Sequence, residues 1–292
     1  MVISHILGGL GNQMFQYAAG RALSTRHQSE LFLDLRDFEN YAFKRKFELE
    51  TVFSLSSKGV SQDLINKILG WRDQKFIKKI LKRPQFCKIR GSALVFEPHF
   101  HYWPSFFDTP KNVYLYGYWQ SEKYFKSIEA IIRKDFQFRQ PLDEMNASIQ
   151  SSMRECQSIA LHIRRGDYLT HRGTTKVMAV CTTDYYHKAV DYINSHVIDP
   201  VFYIFSDDIS WAKSHLKMPT KSIYVDHNLG VDSYKDMQLM SSCKHHVIAN
   251  STFSWWGAWL SPSLEKTVIA PKTWFVNDYK DDDLIPSSWV RL

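Results

Sequence analysis

Ile159-Ala160-Leu161-His162-Ile163-Arg164-Arg165-Gly166-Asp167-Tyr168 sets an apolar run against two adjacent arginines, with a histidine and an aspartate beside them. Such a run predicts a buried strand that delivers charge at its carboxyl end. In open α/β sheets that end is where ligands bind, and paired guanidinium groups offer planar, bidentate donors suited to a phosphate or diphosphate. Side chains on a strand alternate faces, so one arginine is expected on a ligand and the other on the loop. An ion-paired surface turn is the competing reading.

The runs that follow repeat the pattern. Val201 to Phe205 leads into Ser206-Asp207-Asp208, Ser222 to Val225 into Asp226, His246 to Ala249 into Asn250-Ser251, and Thr267 to Ala270 into Pro271. Short apolar, β-rich runs that end in polar clusters suit a parallel sheet rather than an alternating antiparallel one. Between them, Tyr185 to Ser195 and Ser233 to Ser242 carry apolar residues at helical spacing, with Asp184 and Asp232 as expected N-caps. Strand and helix alternate, which predicts a doubly wound α/β domain over about residues 151–271.

The amino terminus opens a second unit of the same kind. Val2 to Leu7 reads as a strand, Gly8-Gly9-Leu10-Gly11-Asn12-Gln13 as a tight turn, and Met14 to Ser24 as a helix. Glycines at a strand-to-helix junction let the backbone approach a ligand and aim N–H groups at its oxygens; a plain turn with an Asn cap is the alternative. The window from Gly9 has Met14 where a dinucleotide fingerprint needs its third glycine, and no GxxxxGK[ST] occurs. Neither NAD nor a Walker-type nucleotide is supported.

With 292 residues, 44% of them hydrophobic, the chain can bury two ordinary cores. No apolar stretch reaches spanning length and Met1 to Leu7 lacks the marks of a signal peptide, so residence in the cytoplasm is expected. Cys87, Cys156, Cys181 and Cys243 lack CxxC spacing, which predicts reduced, packed thiols rather than a zinc site. The net charge of +7 is lopsided: residues 1–150 hold 22 Lys and Arg against 15 Asp and Glu, residues 151–292 hold 15 against 15. Much of the excess lies from Lys67 to Arg90, where Leu64, Ile65, Ile68, Leu69, Phe76, Ile77, Ile80 and Leu81 recur at helical spacing until Pro84. Two readings stay open: a peripheral contact with an anionic membrane surface, or a core-packed helix with a basic outer face. The cluster carries no nucleic-acid-binding motif.

Taken together, Gly8-Gly-Leu-Gly-Asn-Gln-Met-Phe-Gln-Tyr17, His162-Ile-Arg-Arg-Gly-Asp-Tyr168, Phe205-Ser-Asp-Asp208 and Asn250-Ser-Thr-Phe-Ser-Trp-Trp-Gly-Ala-Trp-Leu260 resemble the inverting α-1,2-fucosyltransferases of bacteria and animals, glycosyltransferase family 11. The match in order and spacing runs to Ile285-Pro286-Ser-Ser-Trp289, essentially the whole chain. The resemblance implies a GT-B-like α/β fold of two Rossmann-like domains facing a cleft, taken as an acceptor-side domain over residues 1–150 and a GDP-sugar domain over residues 151–292. It also implies GDP-L-fucose as donor, a galactose-terminated oligosaccharide or lipid-linked glycan as acceptor, inversion, and no required metal. The rivals are a transferase of another GDP-sugar or fucose linkage, and a catalytically silent glycan-binding protein.

On this resemblance Arg164 is expected on the β-phosphate, with Arg165 and Asp167 beside it, because negative charge grows on a departing diphosphate. His162 joins the donor site. Asn250, Ser251, Thr252, Phe253 and Ser254 stand where a strand meets a helix, a ready phosphate cradle. Asp236 is expected to accept the ring and exocyclic N–H groups of guanine, a surface acid being the alternative. Gly8, Gly9, Gly11 and Gln13 form the turn at the rim. Glu97 is the preferred base, with His99, His101 and Asp167 as rivals. If the donor ionises first and no strong base is needed, Asn12 orients substrate. Asp207-Asp208 is discounted as a metal site, and Asp278 to Asp283 is read as an exposed acidic turn outside the chemistry.

Overall fold

In the computed structural model, which describes residues 1–39, 46–166, 175, 177–219, 221–276 and 279–292, the apolar runs become parallel strands of two separate sheets. The chain divides into one unit of Met1–Arg139 with Asp282–Leu284, and another of Gln140–Asp281 with Ile285–Leu292. The expected boundary after residue 150 therefore moves upstream. It would have cut the helix Glu144–Arg154, which is anchored in the second unit: Gln150 donates to Ser242 at 2.8 Å and Asn146 to Asn228 at 2.9 Å.

The first unit holds β1 (Val2–His5), β2 (Leu31–Asp34), β3 (Leu94–Phe96) and β4 (Val113–Tyr116) in the order β2-β1-β4-β3, all parallel. Helix α1 (Leu10–Arg26) follows β1 directly, so the glycine-rich turn is shorter than its sequence suggests: Gly11, Asn12 and Gln13 already lie in the first helical turn. Gly8 makes the reversal at φ +82°, a conformation that favours glycine. Helices α2 (Gln62–Leu69) and α3 (Lys75–Leu81) cover the sheet with Ile65, Ile68, Leu69 and Leu81, which pack with Ile3, Leu94, Phe96 and Tyr114. The helical periodicity is interrupted at Gly70, φ +53°, resumes in α3, and beyond Pro84 is followed by the short helix Cys87–Arg90.

The second unit contains α4 (Glu144–Arg154), β5 (Gln157–Ile163), α5 (Thr183–His196), β6 (Pro200–Ser206), α6 (Ile209–His215), β7 (Ser222–Val225), α7 (Tyr234–Ser242), β8 (His245–Val247), α8 (Thr252–Leu260), β9 (Val268–Ala270) and β10 (Val290–Arg291). Its sheet is parallel throughout, ordered β10-β9-β8-β5-β6-β7. Strand β5 is buried on both faces. Ile159, Leu161 and Ile163 pack with Tyr186, Ala189 and Ile193 of α5, whereas Ala160 packs with Met153 of α4 and Leu239 and Met240 of α7. Double coverage is what selects an unbroken apolar run over an alternating one. The expected caps shift by a residue or two: Thr182, not Asp184, caps α5 by accepting from Tyr185 N at 3.3 Å, and Ser233, not Asp232, stands at the N-cap of α7.

Candidate functional site

Strand order decides where chemistry can gather. In the second sheet the chain leaves β5 toward β6 and β7, then returns to build β8, β9 and β10 on the other side, so the topological switch point lies between β5 and β8. Ligands of open α/β sheets bind outside the carboxyl ends at such a point. There the His162-Ile-Arg-Arg stretch leaves β5 and the Asn250-to-Ser254 stretch follows β8 into α8, with the His162 and Phe253 rings 6.0 Å apart.

Asp207, one strand over, organises the arginine turn. Its carboxylate accepts the backbone N–H groups of Arg165 at 2.9 Å and Gly166 at 3.0 Å, and Arg164 Nη1 lies 3.1 Å from Oδ2. Asp208 accepts from Trp211 N at 3.0 Å and so caps α6. Both acids thus have local duties, and among the described residues no three metal-ligating side chains converge. Both arginines lie beyond the end of β5, and they take different partners: Arg165 lies over the Trp211 ring, 3.8 Å from its centroid, and Arg164 pairs with Asp207. Burial first, and the Arg164 charge second, push His162 down to about 3, so its ring is neutral at physiological pH. Asp167 lies outside the described residues.

The residues after β8 separate into two roles. Asn250 is buried and its amide is committed to the framework, donating to Trp274 O at 3.0 Å and to Ala179 O while its Oδ1 accepts from the Cys181 thiol. It holds the loops around the site rather than facing a ligand. Ser251 is the N-cap of α8 without a side-chain cap bond, and Ser254 Oγ turns back to Ser251 O at 3.3 Å. Thr252 and Phe253 open the helix, and it is this nine-residue element that brings a positive helix end to the β5–β8 switch point. Beyond it Trp255, Trp256 and Trp259 are core, with ring centroids 5.0 to 6.3 Å apart.

Asp236, in the first turn of α7, sits at the end of a chain of buried amides. Asn228 Nδ2 donates to its Oδ1 at 2.9 Å, Asn228 pairs with Asn146, and the His227 ring nitrogen is 3.0 Å from Asn146 Oδ1. Burial lifts the carboxyl to about 7, against its ordinary 3.8. A half-buried acid held by one amide is no plain surface acid. Asn228 escaped the sequence reading because an isolated Asn after a strand carries no signal of its own.

In the first unit the switch point lies between β1 and β4. Gln13 is buried beneath the turn, donating to Gly8 O at 3.0 Å and Lys46 O at 2.9 Å and accepting from Glu48 N at 2.9 Å, so it is a tie and not a ligand-facing group. Asn12 Oδ1 accepts from Gln120 Nε2 at 2.9 Å, which links the turn after β1 to the chain after β4. Gly9 is the N-cap of α1. Glu97, just past β3, accepts the N–H groups of Tyr118 at 2.7 Å and Trp119 at 2.8 Å, fixing a loop in which Trp119 takes φ +55°. Burial raises this carboxyl to about 7 despite those bonds. His99 and His101 stack on each other, 3.3 Å between centroids, with His99 Nδ1 2.9 Å from His101 O.

The acidic turn is engaged, contrary to expectation. Asp281 holds Arg291 at 2.8 Å and Trp274 N at 3.2 Å, and Asp283 accepts from Tyr102 N at 3.0 Å and pairs with Lys123; Asp278 lies outside the described residues. No described helix is long and apolar enough to cross a membrane.

The family model described as Glycosyl transferase family 11 matches residues 2–292. The alpha-1,2-colitosyltransferase of Escherichia coli is 34% identical over 305 residues, spanning 100% of this chain and 99% of its own. The O-antigen biosynthesis glycosyltransferase WbnK of Escherichia coli is 31% identical over 314 residues, 99% of each chain. Galactoside alpha-(1,2)-fucosyltransferase 1 of Homo sapiens is 23% identical over 190 residues, 61% of this chain and 52% of its own. Among solved structures, fucosyltransferase NodZ from Bradyrhizobium superposes with a TM-score of 0.51 at 15% identity over 88% of this chain and 91% of that one. The NodZ alpha-1,6-fucosyltransferase soaked with GDP-fucose gives 0.52 at 16%, over 89% and 92%. At those identities the likeness speaks to fold, and the fold is a GT-B-type α/β arrangement with parallel sheets.

Proposed function

Because the chain belongs to glycosyltransferase family 11, we propose that it moves L-fucose from GDP-β-L-fucose to the 2-OH of a terminal galactose with inversion, in the synthesis of a surface polysaccharide. The observation that carries this reading is that β5 and β8 are parallel neighbours at the switch point, so that Arg164 follows one strand and the positive end of α8 follows the other, where a departing diphosphate would gain charge. Asp207 fixes the backbone on which Arg164 is carried. Asp236 reads guanine, because a carboxylate alone accepts from both of that base's adjacent donors.

Inversion places the galactose hydroxyl on the face opposite GDP, and in a concerted displacement it loses its proton as it attacks. Glu97 is assigned that proton: a carboxyl raised to about 7 by burial is matched to general-base work near neutral pH, and each oxygen keeps a lone pair beyond its bond to backbone N–H. No metal is assigned, since Asp207 and Asp208 are bound to backbone amides and Arg164 supplies the compensating charge. Transfer should therefore survive EDTA with little loss. Strict dependence on added Mg²⁺ or Mn²⁺ would make Asp207 and Asp208 ligands instead.

A second reading is favoured by the 34% identity to a colitosyltransferase: a donor of the same configuration lacking the 3-hydroxyl. GDP-L-fucose and GDP-L-colitose offered side by side, against a panel of β-galactosides with the new linkage mapped by NMR, decide between the two. A site built to hydrogen-bond a sugar hydroxyl rejects the analogue without it by orders of magnitude, whereas an apolar pocket discriminates weakly. Absence of both transfer and slow donor hydrolysis would leave a glycan-binding protein.

A further inference from the structure

Every large apolar side chain that the first unit exposes, among the described residues, falls within one stretch of nineteen positions: Trp71 at 55%, Phe76 at 73% and Ile89 at 58%. The core-facing side of the same stretch is accounted for by Ile65, Ile68, Leu69 and Leu81. These three are thus left over after the helices have packed. Arg72 ties two of them together, its guanidinium donating to Ile68 O at 2.8 Å, Leu69 O at 2.9 Å and Arg90 O at 2.6 Å, so that the turn carrying Trp71 is joined to the turn carrying Ile89; Phe76 is on α3, which begins four residues after Trp71.

The exposed charge around them is predominantly positive. Lys67, Lys75, Lys79, Lys82, Arg83 and Lys88 are exposed, and Asp63 is the exposed acid between residues 62 and 90. Lys75 keeps a 3.5 Å contact to Asp37. The other acid of the stretch, Asp73, is turned inward and neutralised by both nitrogens of Arg36, at 2.8 and 2.9 Å, and by Lys78 at 2.8 Å. Aromatic and aliphatic tips ringed by lysines suit the boundary of a bilayer, where rings settle at headgroup level and ammonium groups meet anionic lipid. A soluble polyanion without bases, such as heparin, would use the lysines but has no use for the exposed Trp71, Phe76 and Ile89.

We propose that the Trp71–Ile89 surface docks this protein on an anionic lipid bilayer, with Trp71, Phe76 and Ile89 entering the interface and the lysines holding phospholipid headgroups. The full chain is mixed with vesicles of phosphatidylcholine, with and without phosphatidylglycerol, and with heparin as a soluble polyanion. It should sediment with phosphatidylglycerol vesicles at low salt, be released as ionic strength rises, and ignore pure phosphatidylcholine. Changing Lys75, Lys79, Lys82 and Lys88 to Gln should weaken partitioning roughly 100-fold or more. Trp71→Ser with Phe76→Ser should weaken it about tenfold or more while heparin binding stays as in the unaltered chain. Both sets are solvent-exposed, so thermal transitions identical to the parent confirm that folding is intact. No sedimentation at low salt overturns the proposal. So does vesicle binding indifferent to Trp71→Ser with Phe76→Ser, which would leave a surface for soluble polyanions only.

Discussion

At the scale of single residues the proposed reaction rests on a few side chains whose roles substitutions can test. Arg164 is expected to fail as lysine. An ammonium is a point charge and cannot reproduce the planar, two-pronged grip of a guanidinium on a departing phosphate, so Arg164→Lys should cost about 10²-fold or more, chiefly in kcat, with an unchanged melting temperature. Steady-state kinetics and a thermal melt check this, and a folded variant with more than about half the parent rate contradicts the role. Asp236 leads to a pH effect whose sign can be worked out. Burial holds its carboxyl near 7, and on the proposed reading only the charged form accepts from both guanine donors, so GDP binding below that pH should release a proton. Between pH 8 and pH 6 the affinity for GDP should fall about tenfold, with proton release visible as a buffer-dependent calorimetric enthalpy. Asp236→Asn should bind GDP more weakly and flatten that dependence. The same raised value means that stability from the neutral carboxyl is complete below 3.8 and lost as pH rises through about 7. Relative to the parent, Asp236→Asn should therefore gain stability at pH 8 over pH 5.

Elements were legible in the sequence where one force dominated. Gln157–Ile163 and Pro200–Ser206 announce themselves because a strand buried on both faces carries a run of apolar residues without alternation, here residues 159–161 and 201–205. Where several weak preferences compete, the reading slips. Asp184 and Asp232 look like N-caps by residue type, but Thr182 and Ser233 hold those places, while Asp232 pairs with Lys235 at 2.8 Å. The basic stretch reads as one amphipathic segment because periodicity does not register a left-handed glycine; Gly70 splits it. Close approaches between elements leave no local trace either. A Cβ on Gly117 would stand 2.4 Å from the Glu97 Cβ, where the chain leaving β4 crosses the chain leaving β3. Gly117→Ala should therefore push Glu97 off the Tyr118 and Trp119 amides and cost about 1–3 kcal/mol, read as a lowered thermal midpoint. A midpoint equal to the parent's would show that β3 and β4 can part without penalty.

For the whole molecule, alternating strand and helix signals made two parallel-sheet units readable, and the four motifs made the family readable. The candidate site was legible as residue types but not as neighbours: nothing local says that β8 lies beside β5, which is what brings Ser251 and Thr252 toward Arg164, or that Asp207 crosses from β6 to hold the arginine turn. The course of the carboxyl terminus was equally hidden, since its turn into the first unit depends on contacts more than a hundred residues apart. Asp282–Leu284 belong to the first unit, where Asp283 takes Tyr102 N and Ser121 Oγ reaches Asp283 O at 2.6 Å. Ile285–Leu292 belong to the second, where β10 pairs with β9, Lys272 N donates to Leu292 O at 2.7 Å and Trp289 lies 5.5 Å from Trp255. Removing residues 282–292 should thus wound both cores at once, exposing the partners of Leu284, Ile285 and Trp289, all buried. At about 1.5–3 kcal/mol per buried apolar side chain, plus an unpaired edge at β9, the loss approaches the whole of a domain's usual 5–15 kcal/mol. The truncated chain should give no cooperative melting transition and should aggregate, as read by circular dichroism and size exclusion. If it instead melts within about 2 °C of the full chain, the tail contributes less than about 1 kcal/mol and its contacts are ornamental to stability.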